Sequence, residues 1–230
     1  MQTNLMGILA GMGPRSTAPF IDLVVNECQR QYGAQHDIDF PPMLIYSLPT
    51  PFYLDRPLDH RAMEATICAG LQHLERSGAA LIAMPCNTAH IYYAQLTRSI
   101  QIPLLNMIDL ALQQVPSSTQ RIALLATQPT VEAKLYQPAI NRMQFELVAQ
   151  TDWQAQANRL IHAIKTGQNL AQTQMLWHEL LTAYEAAGVD TVLIGCTDVT
   201  PLTATYAGAL TLLDATQCLA AGLVAQWRQL

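Results

Sequence analysis

Twice in this chain an apolar run stops abruptly at a turn that carries a cysteine. Residues 79–84 lead into Pro85-Cys86-Asn87-Thr88-Ala89-His90, and residues 191–194 lead into Gly195-Cys196-Thr197-Asp198. Short apolar runs bounded in this way read as buried strands, and a helical pattern follows the first turn directly. A strand that delivers a thiol and several hydrogen-bonding groups to the start of a helix is one way to build a reactive, anion-binding site. The pairing constrains the fold more than either stretch alone. Ser77-Gly78-Ala79-Ala80 before the first cysteine corresponds to Ala187-Gly188-Val189-Asp190 before the second. Cys86 and Cys196 are 110 positions apart, Leu9-Ala10 and Leu125-Ala126 are 116 apart, and Leu105 and Leu213 are 108 apart. Landmarks with a nearly constant offset indicate two structurally similar halves.

Each half alternates strands and helices. In the first, strands are expected over residues 5–10, 43–47, 79–84 and 103–108, with helices near 18–32, 61–76 and from 87 or 89 to 99. Ser16 or Thr17 is the candidate cap of the first helix, and residues 48–60, with three prolines, read as an irregular loop. In the second half, strands are expected over 121–127, 145–148, 191–194 and 210–213. Helices are expected near 130–142, 153–166, 168–187 and from Thr216. This grammar predicts an α/β fold of two pseudo-symmetric lobes, each a mainly parallel sheet flanked by helices. The expected division is 1–102 with 211–230 for the N-terminal lobe and 103–210 for the C-terminal one. Ligands in open α/β sheets bind beyond the carboxyl ends of the strands, so the active site is expected in the cleft between the lobes.

Composition narrows the partners. Half of the 230 residues are hydrophobic and 13% are charged, as befits strands covered on both faces. No apolar run approaches the roughly 18 residues of a membrane span, and Met1-Gln2-Thr3-Asn4 lacks the basic start of a signal peptide. Five scattered cysteines without CxxC spacing argue against a disulfide framework or structural zinc, and a reducing cytoplasm is the simplest home. A net charge of −5 with 12 Lys and Arg and no basic run predicts no nucleic-acid or membrane-surface partner. A small anionic substrate needs only a local cluster of donors and stays compatible.

Two thiols suit one reaction in particular. Inverting a carbon by proton transfer requires a base on one face and an acid on the other, with the roles exchanged in the reverse direction. One thiolate and one thiol meet that symmetry. A single free cysteine is most often a small buried hydrophobe, and Cys28, Cys68 and Cys218, within helical patterns, are assigned to packing. Two cysteines at corresponding strand ends, each followed by Thr or Asn-Thr, are harder to read that way.

Gly11-Met12-Gly13-Pro14, Met84-Pro85-Cys86-Asn87-Thr88-Ala89-His90 and Gly195-Cys196-Thr197-Asp198 resemble, in order and over nearly the whole chain, the three signature motifs of the aspartate/glutamate racemase family, closest to the aspartate racemases. The resemblance implies a cofactor-independent amino-acid racemase, with Cys86 and Cys196 as the catalytic pair and a homodimer as the usual assembly. By matching position it also implies that Met12, Asn87, Thr88, Thr127 and Thr197 bind substrate. Arg56, in Leu54-Asp55-Arg56, and Lys165 resemble the cations that receive the side-chain carboxylate in aspartate racemases. Two positions depart from the pattern. Ala10 stands where the family usually has glycine, and Asp198, the supporting acid/base residue, stands where aspartate racemases commonly have glutamate, one methylene longer.

The residues carry plainer readings beside these. The threonines and Asn87 are ordinary cap and turn residues, Lys165 is a favourable cation at a helix end, and His90, one helical turn after Cys86, is a structural helix residue. The other histidines show no metal-ligand spacing with further donors. Gly11-Met12-Gly13 fails as a dinucleotide fingerprint, because Ser16 replaces the third glycine and no acidic residue ends the next strand. The expected function is PLP-independent racemisation of aspartate or a similar acidic amino acid, with no cofactor and no metal. The alternatives are a broad-specificity or glutamate-acting racemase, a catalytically weak carboxylate- or amino-acid-binding relative, and an enzyme with a cysteine nucleophile acting on an acyl or amide substrate, or a decarboxylase or isomerase of the same superfamily.

Overall fold

The structure, a computed structural model, describes residues 4–53 and 56–230, so Leu54, Asp55 and the first three residues lie outside it. In chain order the elements are β1 (Leu5–Ala10), α1 (Thr17–Tyr32), β2 (Met43–Ser47), α2 (His60–Arg76), β3 (Ala79–Ala83) and α3 (Tyr93–Leu96). They continue with α4 (Met107–Leu112), β4 (Arg121–Ala126), α5 (Gln128–Glu132), α6 (Gln137–Arg142) and β5 (Glu146–Leu147). The chain closes with α7 (Trp153–Thr166), α8 (Leu170–Ala186), β6 (Thr191–Gly195), α9 (Thr200–Thr203), β7 (Thr211–Asp214) and α10 (Ala215–Trp227).

The strands form two separate parallel sheets. The first has the order β2-β1-β3, and the second β5-β4-β6-β7. In the first, Ile82 forms a parallel bridge to Leu104: its N–H donates to the Pro103 carbonyl (2.8 Å) and its own carbonyl accepts from Leu105 N–H (2.9 Å). Both sheets therefore follow one connectivity, with residues 103–105 standing where β7 stands in the other. The chain splits into two compact units, Met1–Met107 with Thr216–Leu230, and Ile108–Ala215. The boundaries expected from sequence fall a few residues early at both crossings. Leu104 belongs to the first sheet by its bridge, and Thr211–Asp214 to the second by its pairing with β6.

Each sheet's inner strands are buried along almost their whole length, with Met6 to Ala10 of β1 and all of β6 shielded. In the first lobe, Met63, Ile67, Leu71 and Leu74 recur every three or four residues, line one face of α2, and pack on Leu9 and Ile82. In the second, Ala157, Leu160 and Ile161 of α7 and Trp177, Leu180, Leu181 and Tyr184 of α8 cover Ala123, Leu125, Val192 and Ile194.

Three expected elements come out differently. Residues 103–108 carry only the single bridge, because the chain turns into α4 at Met107. The helix expected over 130–142 is two short helices, with Lys134 in the left-handed region (φ 54) between them. Pro138 lacks the N–H a continuous helix would need and instead sits in the first turn of α6. The helix expected from 87 or 89 to 99 is a 3-10 turn, Thr88–Tyr92, followed by one α-helical turn. Ser16 stands at the N-cap of α1, as one of the two expected candidates, but its side chain makes no capping bond. The Ser16 hydroxyl donates to the Gly13 carbonyl (2.8 Å), and Thr17 Oγ1 accepts from Gly11 N–H (3.2 Å).

Candidate active site

In the first lobe the site residues gather after the carboxyl ends of β1 and β3. Gly11 has φ +92, and a Cβ there would lie 2.5 Å from Leu48 N and 2.7 Å from Leu48 O. Only glycine fits, by both conformation and space. Ala10, in the departing position, is buried at the end of β1, and its carbonyl accepts Leu48 N–H (3.0 Å). This close crossing positions Met12, which packs in one apolar cluster with Met84, Cys86, Ala89 and Tyr92.

After β3 the chain makes a tight turn centred on Pro85, closed by Cys86 N–H to the Met84 carbonyl (2.8 Å). Cys86 is 8% exposed, and Asn87 and Thr88 are buried beside it. His90 is fixed by two bonds. Its Nε2 accepts the Met107 backbone N–H (3.1 Å), so Nδ1 carries the proton and donates it to the Cys86 carbonyl (2.8 Å). The ring also stacks on Tyr93, whose hydroxyl donates to the Leu104 carbonyl. Both ring nitrogens bond to backbone, so His90 braces the cysteine turn.

Tyr92, to which sequence reasoning assigned no role, is buried with its hydroxyl 2.9 Å from His60 Nδ1. Burial pushes its phenol up to about 12, with negative charge at Glu64, Asp59 and Cys86 adding to the effect. A neutral hydroxyl thus stands in the surroundings of Cys86. The available signal, an aromatic two residues past His90, reads as core and conceals the polar end. Arg56 is exposed, its guanidinium 4.2 Å from the centre of the Tyr53 ring.

In the second lobe the register places Ala126 opposite Gly195, so Thr127 and Cys196 are the first residues beyond two paired strand ends. Thr127 is the N-cap of α5, accepting Thr130 N–H at 3.4 Å and lying 2.9 Å from Thr130 Oγ1. Cys196 is 5% exposed and Thr197 is buried next to it. The Cys196 thiol lies 4.0 Å from Asp198 Oδ2. The same oxygen is 2.7 Å from Lys165 Nζ, in an ion pair whose side chains are 16% and 3% exposed. Lys165 is delivered there by the end of α7, where Gly167 turns left-handed (φ 69) and Gln168 N–H reaches back to the Ala163 carbonyl (2.9 Å). Asp198 lies within reach of the thiol directly, and the same oxygen holds Lys165. Among the described residues no group of three or more His, Cys, Asp and Glu is arranged to hold a metal ion.

The Asp/Glu/Hydantoin racemase family model matches residues 9–223. The chain belongs to that family. It is an amino-acid racemase, an isomerase. It is 39% identical over 225 residues to the broad specificity amino-acid racemase RacX of Bacillus subtilis, covering 97% of this chain and 98% of that one. Among solved structures it resembles the Picrophilus torridus aspartate racemase, with a TM-score of 0.83 and 25% identity over 98% of this chain and 94% of that one. It also shares its fold with a Bacillus anthracis glutamate racemase, with a TM-score of 0.71 at 16% identity over 100% of this chain and 83% of that one. The two parallel sheets of this racemase, flanked by helices, are the two-lobed architecture of those neighbours. No helix among its described residues is long and apolar enough to cross a membrane.

Proposed function

We propose that this racemase inverts Cα of an amino acid by two-base proton transfer, with Cys86 and Cys196 acting from opposite faces of one bound substrate. The observation that carries the reading is the repeated placement of a buried thiol just beyond corresponding strands of two sheets with one connectivity. The thiolate of one cysteine takes the Cα proton and becomes a thiol. The electron pair left on Cα delocalises into the α-carboxylate, and the other thiol gives its proton to the opposite face and becomes the thiolate. One turnover leaves the two protonation states exchanged, ready for the reverse reaction. Met12, Asn87, Thr88, Thr127 and Thr197 line the substrate, and the donors among them stabilise the charge that builds on the α-carboxylate. No cofactor enters the scheme.

The substrate proposed first is aspartate, with Lys165 and Arg56 receiving its side chain, a reading supported by the likeness to an aspartate racemase structure. A second reading, a wider substrate range, is favoured by the Lys165–Asp198 ion pair. A homodimer and a cytoplasmic home complete the proposal.

The test is to replace each cysteine separately by serine, then follow racemisation together with solvent deuterium uptake at Cα. Each variant is expected to lose racemisation by at least about a hundredfold, the scale of a missing acid/base group. Unimpaired racemisation by either single variant overturns the two-thiol scheme.

A further inference from the structure

We infer that Asp198 sets the substrate range of this site: by holding Lys165, it lets the racemase take amino acids with uncharged, hydrogen-bonding side chains alongside aspartate. The inference rests on the two-thiol reading, which makes the surroundings of Cys196 part of the substrate site. An acidic side chain gains from a cation only if that cation is not already compensated. Lys165 Nζ is 2.7 Å from Asp198 Oδ2, in a pair largely shielded from water. A substrate carboxylate must therefore displace Asp198 from Lys165 or bring a second negative charge to the pair. An uncharged side chain pays neither cost.

The second carboxylate oxygen points the same way. Asp198 Oδ1 is buried and accepts no hydrogen bond among the described residues, while Oδ2 carries the ion pair. A buried acceptor of this kind is stabilised by any donor that reaches it. Side chains ending in an amide or hydroxyl supply such a donor, and a carboxylate does not. Asparagine and aspartate differ at just this point while sharing one shape, which makes them the natural probe pair.

The measurement is the ratio of kcat/KM for aspartate to that for asparagine. Asp198 Oδ2 also lies 4.0 Å from the Cys196 thiol, so replacing Asp198 will alter every rate. A ratio between two substrates of equal shape cancels the part that belongs to the thiol. In the wild-type enzyme the two substrates are expected within about tenfold of each other. In Asp198→Asn, where Lys165 no longer faces this carboxylate, the ratio is expected to rise toward aspartate by about tenfold or more, the scale of discrimination a polar site gains from a charge-matched contact. The double variant Lys165→Met with Asp198→Asn removes both charges while keeping the net charge of the pair at zero, and it guards against a misfolded single variant. It is expected to racemise asparagine and to disfavour aspartate relative to the wild type.

Turnover of both substrates with a ratio that Asp198→Asn leaves unchanged overturns this inference alone. A wild-type preference for aspartate above about a hundredfold does so too. Racemisation of no amino acid by the wild type overturns the two-thiol reading and this inference with it.

Discussion

His90 shows how much of the site's geometry depends on one side chain bonded to backbone at both ring nitrogens. It accepts from Met107 N–H and donates to the Cys86 carbonyl, so it fixes the cysteine turn and the start of α4 together. Replacing it by phenylalanine keeps an aromatic ring beside Tyr93 but leaves the buried Met107 N–H without its acceptor. The expected loss is about 1–3 kcal/mol of stability, the cost of an orphaned buried donor, visible as a lower urea midpoint. His90→Gln, which can both donate and accept, should recover part of it. A midpoint that does not move while kcat collapses would instead make His90 a proton-transfer group. The sequence spacing put His90 one turn from Cys86, but the partner on Met107 was not legible, because it depends on where the chain bends after Leu105. The Lys165–Asp198 pair was hidden for a similar reason. Each residue was singled out separately, and nothing in the local pattern says that the end of α7 meets the turn after β6.

At the scale of elements, strands were the most readable. β1 and β2 occupy the expected residues, and β3, β4 and β6 differ by one residue at one end. Their apolar runs are continuous because both faces are covered, and turn residues mark where each stops. Helices were less readable wherever a local rule had been overlooked. Pro138 sat inside the helix expected over 130–142, and the rule that breaks a helix there was already present in the sequence. The 3-10 turn after Cys86 obeys no such rule. It follows from packing, with Ala89, His90 and Tyr92 all buried within one short stretch. α2 is different again, since its start is set by an exposed cap. Asp59 accepts Ala62 N–H at 3.0 Å, so Asp59→Ala is expected to lower stability by about 1 kcal/mol while Asp59→Ser costs a few tenths. Equal urea midpoints for the alanine variant and the wild type would show that the cap contributes nothing here.

For the whole molecule, each lobe carries a carboxylate that ties its elements together, and both titrate in the same direction. Burial pushes Glu27 up, but hydrogen bonds from Arg30 (2.6 Å at the closest) and Gln31 (2.9 Å) outweigh it and hold the carboxyl below its ordinary value. Gln31 also donates to the Ala221 carbonyl (2.9 Å), so this cluster links α1 to α10. In the other lobe, burial raises Asp190, while the backbone N–H groups of Arg121 and Gln120, each 2.9 Å from Oδ2, bring it below its ordinary value. Asp190 precedes β6 and its carbonyl accepts Thr211 N–H, so it clamps the starts of β4, β6 and β7. A carboxyl whose folded pKa lies below its unfolded one binds its proton more readily in the unfolded chain. Its stabilisation is complete above the unfolded value near 4 and is lost as pH falls through the lowered folded value. Stability measured by urea unfolding is therefore expected to drop as pH falls from about 6 to about 2.5. Glu27→Gln and Asp190→Asn should each be less stable at neutral pH and should each flatten that decline, because the group that takes up the proton is gone. If either variant's profile runs parallel to the wild type, its carboxylate is not a source of the acid sensitivity, and the clamp it forms is held by the neighbouring backbone bonds instead.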